Sequence, residues 1–372
     1  MKKAPTLRFK GFTNDWEQRK LGEISNIIAG GDKNINKIKK YGKYPVIANS
    51  INKNGIVGYY DNEYRVKAPA VTVTGRGEIG HAVARFQNFT PIVRLLALSS
   101  KLDPIFLANS INKIRFFNES TGVPQLTKPQ LSTYSIIIPS VEEQNNIGKL
   151  ILLIEKYIHL QQRKLRLLKL LKKAIQQNIF ASTECLPKLK YRNLTEKWQL
   201  YRLKDVAKIT MGQSPNSKNY TQNPIDHILV QGNADIRNGY VFPRIWTTEI
   251  TKVANKGDII LCVRAPAGDV GRTKFNVVIG RGVAAIKGND FIFQQLQFMK
   301  SSGYWKKYIS GSTFESINSN DIKNAKIFCP SQLEQKNISS LLDDIDTSIQ
   351  IQQKNILDFK YIKQFLLQNM FI

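Results

Sequence analysis

A glycine-rich turn is the part of the sequence that most resembles a cofactor motif. Residues 75–80, GRGEIG, fit the G-x-G-x-x-G spacing of dinucleotide-binding folds and follow a strand-like run, Val71–Thr74. That site also needs a helix directly after the glycines, because the N-terminus of the helix binds the pyrophosphate. Residues 81–86, HAVARF, instead have the pattern of a strand. The sequence therefore predicts a glycine-rich hairpin here and no cofactor site.

Motifs for other chemistry are also missing from the sequence. There is no phosphate-binding G-x-x-x-x-G-K-[ST] loop, nucleophile elbow, H-E-x-x-H pair or methyltransferase Asn/Asp-Pro-Pro-Tyr/Phe tetrapeptide. Asp358-Phe359-Lys360 resembles the D-x-K fragment of metal-dependent nucleases, but Phe359 falls on the apolar stripe of a predicted helix, which favours a solvated helix face. We therefore expect a chain that is not an enzyme.

The cysteines and histidines do not have the spacing of a metal site. Cys185, Cys262 and Cys329 are far apart and form no C-x-x-C pair, and the three histidines have no ligand neighbours at useful spacing. This pattern favours a reducing compartment and no zinc or disulfide framework. The N-terminal residues lack the apolar run of a signal peptide, and no uncharged stretch could span a bilayer. We expect a cytoplasmic protein that binds no metal and no membrane.

The second half carries a turn comparable to the first glycine-rich one. Residues 265–272, APAGDVGR, are rich in small residues and end on an arginine. Each turn thus carries an arginine, Arg76 in the first and Arg272 in the second. Because the guanidinium group makes bidentate contacts with guanine and with phosphate, both turns are predicted to contact DNA.

The net charge of the chain favours a polyanionic partner. The 372 residues contain 55 Lys and Arg against 28 Asp and Glu, which gives a formal charge of +27 and a pI near 9.9. Nucleic acid neutralises such an excess by releasing counterions. A ribosome-associated or membrane-surface protein would have a similar charge, so charge alone does not identify double-stranded DNA as the partner.

The candidates for DNA contact are polar and basic residues of predicted loops. Asn, Gln and Arg can read base edges, whereas Lys mostly neutralises phosphate. For each residue alone a solvated surface position is the alternative, so the hypothesis depends on charge and duplication together. The candidates are Lys33, Lys39, Lys40, Lys43, Asn49, Asn52, Lys53, Tyr59 and Arg76 in the first half, and Gln213, Ser214, Lys218, Tyr220, Gln231, Asn233, Arg237, Arg264 and Arg272 in the second.

The chain is an internal repeat. At a shift of 191 residues, Pro139-Ser140 aligns with Pro330-Ser331 and Glu143-Gln144 with Glu334-Gln335, and the identities continue towards Phe180 and Phe371. A weaker match at a shift of 182 aligns Trp16 with Trp198. Between these segments the halves diverge, so the second half carries a net insertion. The order is variable domain, shared segment, variable domain, shared segment.

The two shared segments have the pattern of long amphipathic helices. Apolar residues recur at alternating steps of three and four, and the polar interruptions fall at equivalent places, Gln161 and Lys172 in one segment and Gln352 and Lys363 in the other. Two separate amphipathic helices would not require that coincidence, so a mutual pair is favoured. Ser140 and Ser331 are predicted N-caps. The predicted interface residues are Ile147, Ile151, Ile154, Ile158, Gln161, Leu165, Leu168, Ile338, Leu342, Ile345, Ile349, Gln352, Ile356 and Phe359.

The predicted fold class is α+β. Strand-like runs such as residues 44–48, 70–74, 228–230 and 258–263 alternate with short helical patterns in both variable parts. We expect two mixed α/β recognition domains joined by two long antiparallel coiled-coil helices, with a pseudo-two-fold internal repeat. The predicted boundaries are 1–139 and 183–330 for the domains, and 140–182 and 331–372 for the helices.

The whole chain resembles the specificity subunits of type I restriction–modification systems. The opening residues 5–12, PTLRFKGF, followed by Trp16 and residues 20–24, KLGEI, are similar to the start of these subunits. The segments around Pro139-Ser140 and Pro330-Ser331 resemble their conserved regions, and residues 212–215, GQSP, resemble a turn early in their recognition domains. The second half keeps Trp198 but not the Arg-Phe-x-Gly-Phe run.

The resemblance implies a function and a set of partners. Such subunits carry two target-recognition domains that each read one half of an interrupted DNA site, and their helices bind methyltransferase subunits, expected here to number two. A motor-nuclease subunit joins for restriction. S-adenosylmethionine, ATP and magnesium are then expected on those partners. The alternatives are a DNA-binding scaffold of another chromosome or defence complex, and an enzyme whose motifs are not recognised.

Overall fold

Two units make up the computed structural model, which describes residues 4–32, 34, 36–117, 122–180, 187–189, 197–308 and 316–372. The first unit comprises Met1–Gln162 and Asn355–Ile372, and the second comprises Arg163–Lys354. Each long helix therefore contributes one part to each unit, whereas the predicted boundaries set the helices apart from the domains as separate segments. Lys33 and Cys185, both named from the sequence, lie outside the described residues.

In the first unit a sheet packs against short helices. The order β2-β8-β5-β6 is antiparallel throughout, while β3 pairs with β4 antiparallel and with β7 parallel, and β1 pairs with β9. The elements are β1 (Glu17–Lys20), α1 (Leu21–Ile24), β2 (Ser25–Ala29), β3 (Tyr44–Ile47), β4 (Ile56–Tyr60), β5 (Ala70–Thr74), β6 (Ala82–Arg85), β7 (Thr90–Pro91), β8 (Leu95–Ser100), α2 (Pro104–Ile111), α3 (Lys128–Thr133), β9 (Ser135–Ile138) and α4 (Val141–Ile179).

The second unit is built on the same plan. Its sheet has the order β11-β21-β18-β19 and continues through β15 and β14, and β13 pairs in parallel with β20. The elements are β10 (Gln199–Arg202), α5 (Leu203–Val206), β11 (Lys208–Met211), β12 (Tyr220–Thr221), β13 (His227–Val230), β14 (Ile236–Arg237), β15 (Tyr240–Val241), β16 (Ile245–Thr247), β17 (Val253–Ala254), β18 (Ile259–Cys262), β19 (Val270–Arg272), β20 (Val277–Ile279), β21 (Val283–Lys287), α6 (Asp290–Ser301), α7 (Ser319–Lys323), β22 (Lys326–Cys329) and α8 (Gln332–Asn369).

The main sheet of each unit has an interior strand that is buried on both faces. Every residue of β5 and of β18 is buried, as expected for strands covered on both sides. In the first unit the core lies between this sheet and the helices α2 and α3. In the second unit it lies between the sheet and the helices α6 and α7, and it includes Ile338 and Leu342 of α8. The halves diverge in sequence yet share one fold, because each keeps this buried strand and the helices that cover it.

Both long helices begin at the predicted serines. Ser140 Oγ accepts a hydrogen bond from the Glu143 amide at 3.4 Å, and Ser331 Oγ accepts one from the Glu334 amide at the same distance. The buried Glu143 carboxylate accepts two 2.8 Å hydrogen bonds from Arg8 and one of 3.2 Å from Trp16 Nε1. These contacts tie the N-terminal segment to the start of α4.

Within each unit the parts of α4 and α8 run antiparallel. In the first unit Glu155 pairs with Lys363 at 2.6 Å, and the ring of Tyr157 lies 4.2 Å from that of Phe359. In the second unit Lys172 pairs with Asp346 at 2.6 Å. Both lysines, which interrupt the apolar stripes, are thus paired with acids. The two ion pairs are equivalent, because Lys363 follows Lys172, and Asp346 follows Glu155, by the 191 residues of the repeat.

The remaining stripe positions are partly or fully removed from solvent. Gln352 is 3% exposed and Gln161 is half-buried. The buried apolar positions are Ile147, Ile151, Ile154, Ile158, Ile338, Leu342, Ile345 and Ile356, and the half-buried ones are Leu165, Leu168, Ile349 and Phe359.

Candidate nucleic-acid interface

The glycine-rich turn of the first unit is the predicted hairpin. It joins β5 to β6, so a strand and not a helix follows the glycines. Gly80 has a φ of +85° and its amide donates to the Thr74 carbonyl at 2.8 Å, which closes the turn. The backbone of Arg76 pairs with that of Gln125. The turn therefore lacks the helix that the dinucleotide motif requires directly after its glycines.

The second unit contains the same turn between β18 and β19. Gly268 has a φ of +91° and its amide donates to the Cys262 carbonyl at 2.7 Å, as Gly80 does with Thr74. Arg264 pairs with Ser316 through the backbone, as Arg76 pairs with Gln125. Arg264 is therefore the structural counterpart of Arg76.

Arg272, which the sequence pattern indicated as the counterpart of Arg76, does not occupy the equivalent position. Arg272 lies at the end of β19, beyond the turn, and its guanidinium pairs with Asp290 and lies 4.7 Å from the centre of the Phe293 ring. A DNA contact by Arg272 stays a prediction, but it would require this ion pair to break.

A cleft of about 390 Å³ adjoins the first turn. It is lined by Asn49, Asn52 and Arg76, all predicted from the sequence, and by Ser50, Ile51, Thr74 and Glu78. The Asn49 carboxamide accepts from the Gly75 and Arg76 amides at 2.6 and 3.2 Å and donates to the Arg76 carbonyl at 2.7 Å. Because these bonds occupy its amide group, Asn49 holds the turn in place, which leaves Asn52 and Arg76 better placed to meet a ligand.

A second cleft, of about 530 Å³, adjoins the turn of the second unit. Five predicted residues line it together, namely Ser214, Tyr220, Gln231, Asn233 and Arg264, and Arg281 lines it as well. Asp235 accepts from the Gln231 amide at 2.7 Å and fixes the backbone beside the cleft. Each unit therefore places an arginine-bearing turn beside a polar cleft, and the two clefts have different linings.

Comparison with known proteins assigns the chain to a family. The family model for the type I restriction modification DNA specificity domain matches twice, over residues 13–170 and 195–358. The chain belongs to this family. The two matches coincide with the two halves of the repeat, so each half is one specificity domain.

Individual relatives agree with this assignment. A Methanocaldococcus jannaschii chain that bears the name of the MjaX type I restriction enzyme specificity subunit is 29% identical over 275 residues, which cover 68% of this chain and 64% of that relative. The type I restriction enzyme MjaVIII specificity subunit of the same organism is 23% identical over 91% of this chain and 88% of its own length. The crystal structure of the type I restriction–modification S subunit from M. genitalium has the same fold, with a TM-score of 0.73, 14% identity and 99% coverage of both chains.

Other predicted DNA contacts lie outside the two clefts of the specificity domains. Lys39 pairs with Asp61 at 2.5 Å, and Arg237 lies 4.0 Å from the centre of the Phe242 ring. The ammonium groups of Lys40 and Lys43 lie 5.4 and 5.1 Å from the ring centres of neighbouring tyrosines. The predicted residues that line neither of these two clefts are Lys39, Lys40, Lys43, Lys53, Tyr59, Gln213, Lys218, Arg237 and Arg272, and Arg272 lines a separate cleft together with Asp290 and Phe293.

Sequence reasoning missed two exposed arginines of the specificity domains. Arg94 follows β7 and Arg281 follows β20, each in the short turn before the next strand. Glycines on both sides of Arg281 were the signal that could have revealed its turn. Arg94 has no such signal, although its φ of +65° places it in the left-handed region.

The buried thiols of the second specificity domain are poor nucleophiles. Burial and the nearby carboxylates of Asp269 and Asp235 raise the pKa of Cys262 to about 12, and burial raises the pKa of Cys329 to about 11. Both thiols stay protonated at neutral pH, and it is the thiolate that reacts. Over the described part of the chain, no group of three or more His, Cys, Asp or Glu side chains could hold a metal ion. A search of the same residues finds no helix long and apolar enough to cross a membrane.

Proposed function

We propose that the chain is the subunit that reads DNA sequence in a type I restriction–modification complex, with each specificity domain reading one half of an interrupted site. The observation that carries this proposal is the duplicated turn and cleft. Arg76 and Arg264 occupy equivalent positions beside clefts whose other side chains differ. One scaffold with two linings suits a protein that reads two different short sequences.

The chemistry of both clefts supports recognition rather than catalysis. Their linings offer guanidinium, carboxamide and hydroxyl groups, which form hydrogen bonds with base edges and phosphates. The net charge of +27 supplies the sequence-independent attraction to the DNA backbone, so binding should weaken steeply as salt rises. In this proposal S-adenosylmethionine, ATP and magnesium bind to partner subunits.

Exposed apolar side chains support the binding of partner proteins to the long helices. On α4, Leu153, Leu160 and Leu167 are 51–64% exposed, and on α8, Tyr361 and Phe365 are 60% and 56% exposed. Large apolar side chains repeated along an exposed helix face are typical of protein interaction surfaces. We assign these surfaces to methyltransferase subunits, two per chain, with motor-nuclease subunits joining them for restriction.

Selection from a random DNA library tests the proposed function. The purified full-length chain should enrich duplexes with two short specified elements separated by unspecified bases. It should transfer no methyl group from S-adenosylmethionine unless the methyltransferase subunit is added. Enrichment of no sequence, or methyl transfer by the chain alone, would contradict the proposal.

A further inference from the structure

Arg281 occupies a turn that its surroundings hold in place. Its amide donates to Ser214 Oγ at 3.0 Å, and the preceding Gly280 amide donates to the Val230 carbonyl at 2.8 Å. A Cβ atom on Gly282 would lie 2.0 Å from the Gln231 carbonyl oxygen, so only glycine fits there. The backbone that carries Arg281 is therefore packed directly against the second cleft.

The second cleft holds two arginines and no acid. Arg264 and Arg281 both line it, and its lining includes no carboxylate. Within the described chain, neither guanidinium group has an ion pair or a side-chain hydrogen bond, whereas Arg244 and Arg272 pair with acids. Two uncompensated guanidinium groups beside one cleft favour a ligand that presents several hydrogen-bond acceptors.

We infer that Arg281 reads a guanine of the second half-site, next to the base or phosphate bound by Arg264. This inference rests on the proposed function. The major-groove edge of guanine presents two acceptors, N7 and O6, which match the fork of a guanidinium group. A backbone phosphate offers the same acceptor chemistry, but a guanidinium on a fixed turn beside a cleft can select one base edge.

The first cleft differs in a way that supports this assignment. Its lining combines Arg76 with the carboxylate of Glu78. A carboxylate repels the guanine acceptors and instead accepts from an amino group, such as that of cytosine. The two domains should therefore prefer different bases where these two clefts meet the DNA.

Selection with Arg281→Ala and Arg281→Lys tests the inference. The purified full-length chain is offered a library in which only the second half-site is randomised. Both variants should lose about 5- to 150-fold of the preference for guanine at one position, because lysine keeps the charge but not the bidentate fork. A second library, randomised only at the first half-site, should be selected as by the wild-type chain, which also shows that the variants are folded. Arg202→Ala, an equal loss of charge on β10 outside the cleft, is the control and should keep every preference.

Two results would overturn the inference. In the first, Arg281→Lys keeps the wild-type base preference, while Arg281→Ala binds every sequence more weakly by the same factor. That result would identify a phosphate contact. The other is unchanged guanine preference in both variants. Failure of the wild-type chain itself to select any bipartite site would instead contradict the proposed function, so the two failures are distinguishable.

Discussion

Arg76 and Arg264 are held by backbone pairing while their side chains stay exposed. A side chain that reads a base needs this combination, because a mobile backbone would lose entropy on binding. Arg76→Ala should relax the first half-site only, and Arg264→Ala the second only. The loss should be about 1–3 kcal/mol at one base position if the contact is to guanine.

Quantitative binding to single-base variants of the selected site checks this expectation. Arg202→Ala is the matched comparison, since it removes the same charge on β10, outside both clefts, and should keep wild-type selectivity. Wild-type selectivity in both Arg76→Ala and Arg264→Ala would remove the two turns from the interface.

The types of residue that line the clefts were predictable from the sequence, but the role of each residue and its equivalent in the other unit were not. Asn49 was predicted as a contact because asparagine can read base edges, but its carboxamide holds the turn. Arg272 was paired with Arg76 on composition, and only the backbone bonds reveal Arg264 as the equivalent residue. Such bonds join residues far apart in the chain, and local pattern does not specify them.

The ion pair of Lys172 and Asp346 links α4 to α8 in the second unit. The two side chains are 14% and 25% exposed, and Lys172 Nζ also donates to Gln297 Oε1 at 2.7 Å. Lys172→Glu should lower the free energy of unfolding by about 1–2 kcal/mol, because the new glutamate would face Asp346 at a partly buried position. Adding Asp346→Lys should restore at least half of that loss.

Urea unfolding of the full chain measures both effects. Lys173→Glu makes the same charge change at an exposed neighbouring position and should be close to neutral. If Lys173→Glu costs as much as Lys172→Glu, or if Asp346→Lys restores nothing, the ion pair does not contribute to the free energy of unfolding.

Asp343 on α8 makes a pH-dependent contribution to stability. Burial raises the pKa of this carboxyl, and the carboxylates of Asp290 and Asp346 raise it further against the lowering effect of Gln294. The folded pKa lies above the unfolded value, so Asp343 favours the folded state at low pH and loses this contribution as pH rises through its folded pKa.

Asp343→Asn should therefore raise the melting temperature at neutral pH, and the gain should shrink as pH falls below the folded pKa of Asp343. The asparagine oxygen can still accept from Gln294, which donates to Asp343 at 2.7 Å. Melting curves over a pH series check this, with Asp344→Asn, an exposed neighbour, as the control. A gain that is independent of pH, or one shared by Asp344→Asn, would contradict the assignment.

Among the elements, the sequence predicted those that carry a strong periodic signal. The buried run β5 and the helices α4 and α8 follow from apolar periodicity, and the coincident polar breaks predicted a helix pair. The parallel pairing of β3 with β7, and of β13 with β20, was not predictable, because strand partners depend on long-range contacts. Because the strand pairing was not predictable, the sequence also did not show that the two divergent halves share one fold.

At the scale of the whole molecule, the repeat is the basis of the functional proposal. The family match covers residues 13–170 and 195–358, and each match contains a turn, a cleft and most of a core, although the second core also includes Ile179 and Phe180 at the C-terminal end of α4. A domain with its own core can be exchanged without altering the other. The central claim is therefore that each domain determines its half-site independently.

Exchange of the second domain tests this claim most directly. Residues 197–325 would be replaced by the equivalent segment of a relative with a different half-site, leaving α4 and α8 intact. Library selection with the chimaeric and parent chains then reports both half-sites at once. The account predicts that the first half-site persists unchanged while the second becomes that of the donor. A chimaera that folds and changes both half-sites together, or keeps both, would contradict it.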